Sequence, residues 1–135
     1  MPLTSQEKAE LFACAEQAMH RAYSPYSNFS VGAAVRCADG TLFGGCNIEN
    51  ASYGATICAE RSALAAAVSA GKRDFTDIAI ISSGAELSYP CGICLQVISE
   101  LAPQASIHLF KKGGDEKTLA AKEVLPFAFH LNDCT

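Results

Sequence analysis

Three cysteines constrain this chain more than any other feature. Cys58 opens the segment Cys58-Ala59-Glu60, and two more thiols lie in Pro90-Cys91-Gly92-Ile93-Cys94. If all three hold one zinc ion, two segments distant in the chain must fold back onto a single point. Three protein ligands leave a fourth position for water, which separates a catalytic zinc site from a closed structural one. Glu60 adds a carboxylate beside the first thiol, a residue type suited to moving protons for that water. Two blander readings compete, because a lone Cys-x-x-Cys also serves redox motifs and structural zinc sites. For a closed site Cys46 is the best spare ligand. Cys14, Cys37 and Cys134 form no second close pair, and His20, His108 and His130 are scattered.

The order of elements predicts where those thiols fall. Thr4 and Glu7 form a capping box, and Leu11, Ala15, Ala18 and Ala22 recur at helical spacing up to about Tyr23. Ranges 31–35 and 42–47 read as strands joined by the turn Ala38-Asp39-Gly40. Range 59–70 reads as a helix stopped by Gly71. Ile78-Ala79-Ile80-Ile81 marks a buried strand over 77–82. A helix over 91–101, a strand over 106–110 and a short final helix around Glu123-Val124-Leu125 follow. Strands alternating with helices predict an α/β fold, a mixed sheet covered on both faces, in one domain spanning residues 1–135.

Cys58, Cys91 and Cys94 therefore fall at two helix starts, where free N–H groups and the positive end of the dipole favour thiolate over thiol. Zinc with three thiolates carries a formal charge of about −1, which weakens it as a Lewis acid. Arg61 stands three residues after Cys58, on the same helical face, and is the candidate to donate hydrogen bonds to ligand sulfur. The competing reading of Arg61 is a solvated side chain or an ion pair with Glu60.

Composition narrows the partners. Of 135 residues, 50% are hydrophobic and 18% charged, with a net charge of −4. That is a globular chain with apolar surface left for self-association, and it has no Lys/Arg cluster for a phosphate backbone. Lys111-Lys112 is an isolated basic pair, so nucleic acid is not an expected partner. No run is long enough to span a membrane and no basic-then-apolar leader opens the chain. With an odd count of seven cysteines, a reducing cytoplasm is the expected location.

Five ordered motifs carry a resemblance to a known family. They are Tyr23-Ser24-Pro25-Tyr26-Ser27-Asn28-Phe29, Gly45-Cys46-Asn47-Ile48-Glu49-Asn50-Ala51-Ser52-Tyr53, Ile57-Cys58-Ala59-Glu60-Arg61, Pro90-Cys91-Gly92-Ile93-Cys94 and Leu125-Pro126-Phe127-Ala128-Phe129. Together the chain resembles the small, three-cysteine, homotetrameric cytidine deaminases. The resemblance implies a three-layer α-β-α sandwich on a mixed, roughly five-stranded sheet. It implies one Zn²⁺ per subunit held by Cys58, Cys91 and Cys94, with Glu60 shuttling protons while water held by the zinc attacks C4 of cytidine or deoxycytidine. Asn47 and Glu49 match the pair for the sugar 3′-hydroxyl, and Phe29 matches an aromatic near the base. The backbone of Ala59 matches a contact to the base edge, and Phe129 one that reaches a neighbouring subunit's pocket. The expected assembly is a homotetramer whose subunits complete each other's sites, working in pyrimidine salvage. A related deaminase acting on a nucleotide or on another base, and a non-catalytic zinc domain, are the alternatives. Asn47 with Glu49 argues against the first and Glu60 against the second.

Two departures stand out. Leu95 occupies the place where the family usually has Arg before Gln96, which leaves Arg61 as the sole expected compensating cation. Ala128-Phe129-His130 stands where Ser-Phe-Gly is more usual.

Overall fold

A computed structural model of the chain describes residues 2–131. In chain order the elements are α1 (Ser5–Met19), β1 (Val31–Cys37), β2 (Leu42–Cys46), a single 3-10 turn (Tyr53–Ala55), α2 (Ala59–Ser69), β3 (Phe75–Ser82), α3 (Gly92–Leu101), β4 (Ser106–Phe110), β5 (Glu116–Ala120) and α4 (Ala121–Val124). The strands form one sheet in the order β2-β1-β3-β4-β5. Only β3 and β4 are parallel; the other pairs are antiparallel. The sheet is therefore mixed, as expected.

Alternation along β3 builds both faces of the sandwich. Ile78 and Ile80 join Val35, Leu64, Ile98, Ile107 and Leu109 in the core beneath α2 and α3. Ala79 and Ile81 point the other way, joining Leu11, Ala15, Ala34 and Phe110 beneath α1. Each side chain is excluded from water because successive strand residues face opposite sides. On the α1 side, the rings of Phe12 and Phe110 stack with centroids 3.9 Å apart.

Local signals set most of the ends. Thr4 caps α1 reciprocally with Glu7. Gly71, at φ 90°, ends α2 with a bond from its N–H to Val68 O and one from Lys72 N–H to Ala67 O, the paired closure of a Schellman stop. α1 ends at Met19, short of the expected Tyr23, because Tyr23 leaves the helix to pair with Ile48. Tyr23 N–H donates to Asn47 O, and Glu49 N–H to Tyr23 O. β5 is a strand that the residue pattern did not indicate. Its outer positions are exposed, and pairing with β4 defines it rather than hydrophobic alternation.

Two glycines let helices approach the sheet. A Cβ at Gly32 would lie 2.7 Å from Met19 Cβ and run into the backbone of α1. A Cβ at Gly45 would lie 2.8 Å from Ala59 O and collide with Ala63 N. Gly45 therefore sets how closely α2 lies against β2, and α2 carries Cys58 and Glu60 at its start. No described helix is long and apolar enough to cross a membrane.

One buried polar set ties β3, β4 and β5 together. His108 Nε2 donates to Asp77 Oδ1 at 2.9 Å, and its Nδ1 lies 3.1 Å from Thr118 Oγ1. Burial pushes the Asp77 carboxyl up, but the bonds from His108 and Thr76 outweigh it and hold the carboxyl below its ordinary value.

Gly45→Ala should push α2 off the sheet, costing roughly 1–3 kcal/mol and reducing zinc content; a variant with unchanged melting and full zinc would refute the close-packing argument. Folding lowers the Asp77 pKa, so the ionised group adds stability that is complete above the unfolded value of about 4 and is lost as pH falls through the folded one. Asp77→Asn should cost roughly 2 kcal/mol at neutral pH and flatten the acid limb of denaturant midpoint against pH. An unchanged acid limb would show that the pair contributes nothing there.

Candidate metal centre and adjoining cavities

Cysteine occupies the N-cap of both α2 and α3, Cys58 in one and Cys91 in the other, and neither makes a side-chain cap hydrogen bond. Serine, threonine, aspartate or asparagine would normally fill such a position and accept a bond from the helix. Here the sulfurs turn toward each other instead. Cys94 lies one turn into α3, fully buried. Pro90 precedes the α3 cap.

The sulfurs of Cys58, Cys91 and Cys94 all lie within 4.8 Å of one another. Cys58 Sγ and Cys91 Sγ are 3.7 Å apart. Tetrahedral zinc with Zn–S bonds of about 2.3 Å needs sulfurs about 3.8 Å apart, so the donor set fits that ion. Among the described residues no fourth Cys, His, Asp or Glu joins this cluster. Cys46, the spare ligand considered from the sequence, instead points its thiol to Arg21 O at 3.6 Å. Cys14 is half-buried and Cys37 buried, and Cys134 lies outside the described residues.

Arg61 Nη2 donates to Cys58 Sγ at 3.5 Å and to Thr56 O at 3.4 Å. Its Nε is buried with no partner. The bond from the Cys94 thiol, with others from Arg61 and Cys91, outweighs burial and brings Cys58 down to about 5. Cys94 is pushed up because it donates to Cys58 and is buried beside Glu60. A metal bound to the three sulfurs would need each of them as thiolate and so would displace their protons.

Glu60 is only 4% exposed. Burial raises its pKa, Cys58 adds to the rise, and the bonds from its own N–H and Cys94 do not offset them. A carboxyl raised in this way keeps its proton closer to neutral pH, where proton transfer is most effective.

One cavity adjoins the cluster and a second lies next to the first. The first, of about 210 Å³, is lined by Phe29, Asn47, Cys58, Ala59, Glu60 and Cys91 among others. The second, of about 370 Å³, is lined by Tyr26, Ser27, Glu49, Asn50, Tyr53 and Thr56, and Thr56 borders both. Asn47 and Glu49 are thus brought near each other but into neighbouring hollows, since β2 has already ended at Cys46. The Asn47 amide braces the loop before β1: Oδ1 accepts from Val31 N–H at 2.9 Å and Nδ2 donates to Phe29 O at 2.8 Å. Glu49 accepts from Tyr26 N–H at 2.9 Å, from Ser27 N–H at 3.1 Å and from the Ser27 hydroxyl. The Ser27 hydroxyl, with these N–H groups, holds its carboxyl below the ordinary value against burial. Two carboxylate oxygens offer about four lone-pair positions, so room remains for a hydroxyl donor.

Phe129 lines neither cavity. Its carbonyl accepts from Gln96 Nε2 at 2.9 Å and the residue is 59% exposed. Tyr89 and Ser88, in the loop before Pro90, also line the smaller cavity. The sequence reading passed over both; adjacency of an aromatic residue to the Pro-Cys motif was the available signal.

Comparison with known proteins agrees with this geometry. The family model described as "Cytidine and deoxycytidylate deaminase zinc-binding region" matches residues 5–109. A cytidine deaminase of Halalkalibacterium halodurans is 47% identical over 118 residues, covering 87% of this chain and 89% of the relative. One of Sporosarcina psychrophila is 42% identical over 125 residues, covering 92% of each. The crystal structure of a cytidine deaminase from Burkholderia pseudomallei superposes with a TM-score of 0.87 at 44% identity, covering 94% of this chain and all of that one. Matched nearly end to end in both sequence and fold, the chain belongs to the cytidine deaminase family.

Proposed function

We propose that this chain catalyses the zinc-dependent hydrolytic deamination of cytidine and deoxycytidine to uridine and deoxyuridine, releasing ammonia. The observation that carries the reading is a buried Glu60, its pKa raised by burial, opening on the same cavity as a three-sulfur centre. Zinc bound there supplies a Lewis acid that makes water a nucleophile near neutral pH. Cys58, Cys91 and Cys94 hold the ion at two helix N-termini, and Arg61 donates to sulfur to draw off part of the negative charge. Glu60 takes the proton from the attacking water, delivers it to N3 of the base and then carries the proton of the new C4 hydroxyl to the departing amine, leaving a carbonyl at C4. Water enters as hydroxyl at C4 and ammonia leaves, so the atoms balance. Phe29 flanks the base, the Ala59 backbone meets its edge, and Asn47 and Glu49 hold the sugar. A carboxylate at Glu49 repels a phosphate nearby, which favours a nucleoside over a nucleotide.

The exposed Phe127, Phe129 and Leu131 support a homotetramer in which the C-terminal segment of one subunit, with Phe129, completes the cavity of another. The six described cysteines are free, which supports a reducing cytoplasm, with the enzyme acting in pyrimidine salvage.

Following cytidine by ultraviolet absorbance beside cytidine monophosphate tests the reading, with turnover expected for the nucleoside alone. Glu60→Gln should lower kcat by about 10²–10⁴-fold with zinc content unchanged; turnover within a few-fold of wild type would remove Glu60 as shuttle. Leu95→Arg should shift the pH–kcat profile toward lower pH by adding a second cation near the sulfurs. An identical profile would show that Leu95 costs the site nothing.

A further inference from the structure

We propose that Tyr89 forms a substrate-binding wall of the cavity at the sulfur cluster, and that Lys117 of β5 is a positioning residue that holds its ring there. The loop from 83 to 91 joins β3 to Cys91, so its path decides what stands beside the sulfurs. It contains no regular structure, yet it is fastened at both ends and along its length. Ser83 N–H donates to Ser30 O at 2.8 Å, and Ser30 N–H donates back to Ser83 Oγ at 3.0 Å. Further along, Lys111 Nζ donates to Ala85 O at 3.1 Å. Beyond that, Lys117 Nζ donates to the Tyr89 hydroxyl oxygen at 3.2 Å and lies 5.5 Å from its ring centroid. Both lysines come from the β4–β5 hairpin.

Tyr89 lines the smaller cavity together with Phe29, and both rings depend on this loop. A Cβ at Gly84 would come 2.8 Å from Phe29 Cε1, so the loop's glycine leaves room for the Phe29 ring. Tyr89 is 55% exposed and Phe29 41%, apolar faces left open on the cavity rather than packed into the core. Two aromatic faces on one small hollow suit a flat heteroaromatic ring, which stacks on either without needing specific hydrogen bonds. A half-exposed tyrosine would swing freely unless held, and the ammonium holds it through the hydroxyl.

This inference rests on the deaminase reading, and wild-type turnover of cytidine in the same assay separates the two. Tyr89→Ala should raise KM for cytidine about ten-fold, a loss typical of one base-stacking contact, with kcat within about two-fold. Tyr89→Phe and Lys117→Met should each raise KM about two- to three-fold, as expected for one exposed polar contact. Lys117→Arg should restore wild-type KM, and the double variant Tyr89→Phe/Lys117→Met should be no worse than either single change. Zinc content and melting temperature, unchanged throughout, show that each variant folds. An unchanged KM in Tyr89→Ala would overturn the wall, and additive losses in the double variant would overturn the role of Lys117. If wild-type protein turns over no cytidine, the deaminase reading fails, and calorimetric titration with uridine then decides the wall: weaker binding by Tyr89→Ala upholds it, and equal or no binding by both proteins overturns it.

Discussion

Gathering three sulfurs within 4.8 Å is first a problem of like charge, and the fold around it answers that problem. Thiolates repel one another unless something positive faces them. The chain supplies two helix starts, with Cys58 and Cys91 as their N-caps, and the guanidinium of Arg61. The β3–α3 loop then delivers Cys91 and Cys94 to the end of β3, while close packing at Gly45 brings the start of α2 to the same end. β3, buried on both faces, is the rigid strand from which the start of α3 is reached.

Features encoded within a few residues were readable in advance. The Thr4–Glu7 box, the turn at Asp39-Gly40 and the stop at Gly71 each depend on local chemistry, and so do the positions of the three cysteines relative to helix starts. Features made by partners distant in sequence were not. Tyr23 reads as the end of a helix until Ile48 claims it. β5 carries no strand signal of its own; five residues with mostly exposed side chains become a strand because β4 offers an unpaired edge.

The candidate site divides along the same line. Glu60 and the thiols announce themselves by type and spacing, since few other reasons place a carboxylate and three cysteines at two helix starts. Asn47 and Glu49 were readable as a polar pair only by resemblance. Their separation into neighbouring hollows depends on backbone groups of Phe29, Val31, Tyr26 and Ser27, none of which has a side-chain signature for that task. Tyr89 offered only its adjacency to the Pro-Cys motif as a signal, because the lysine that contacts its hydroxyl lies on a strand distant in sequence.

β5 also has a consequence for how the protein behaves at high concentration. A sheet margin offers unpaired N–H and C=O groups that can template growth by another chain. Glu116, Lys117 and Thr118 are exposed along this one, with Lys8 of α1 paired to Glu116, and α4 begins as soon as the strand ends. Charge of both signs on a five-residue margin discourages an incoming strand from a second copy. On this side, then, the sheet is protected against running on into fibrils, and the chain can carry so much apolar residue without that edge becoming sticky.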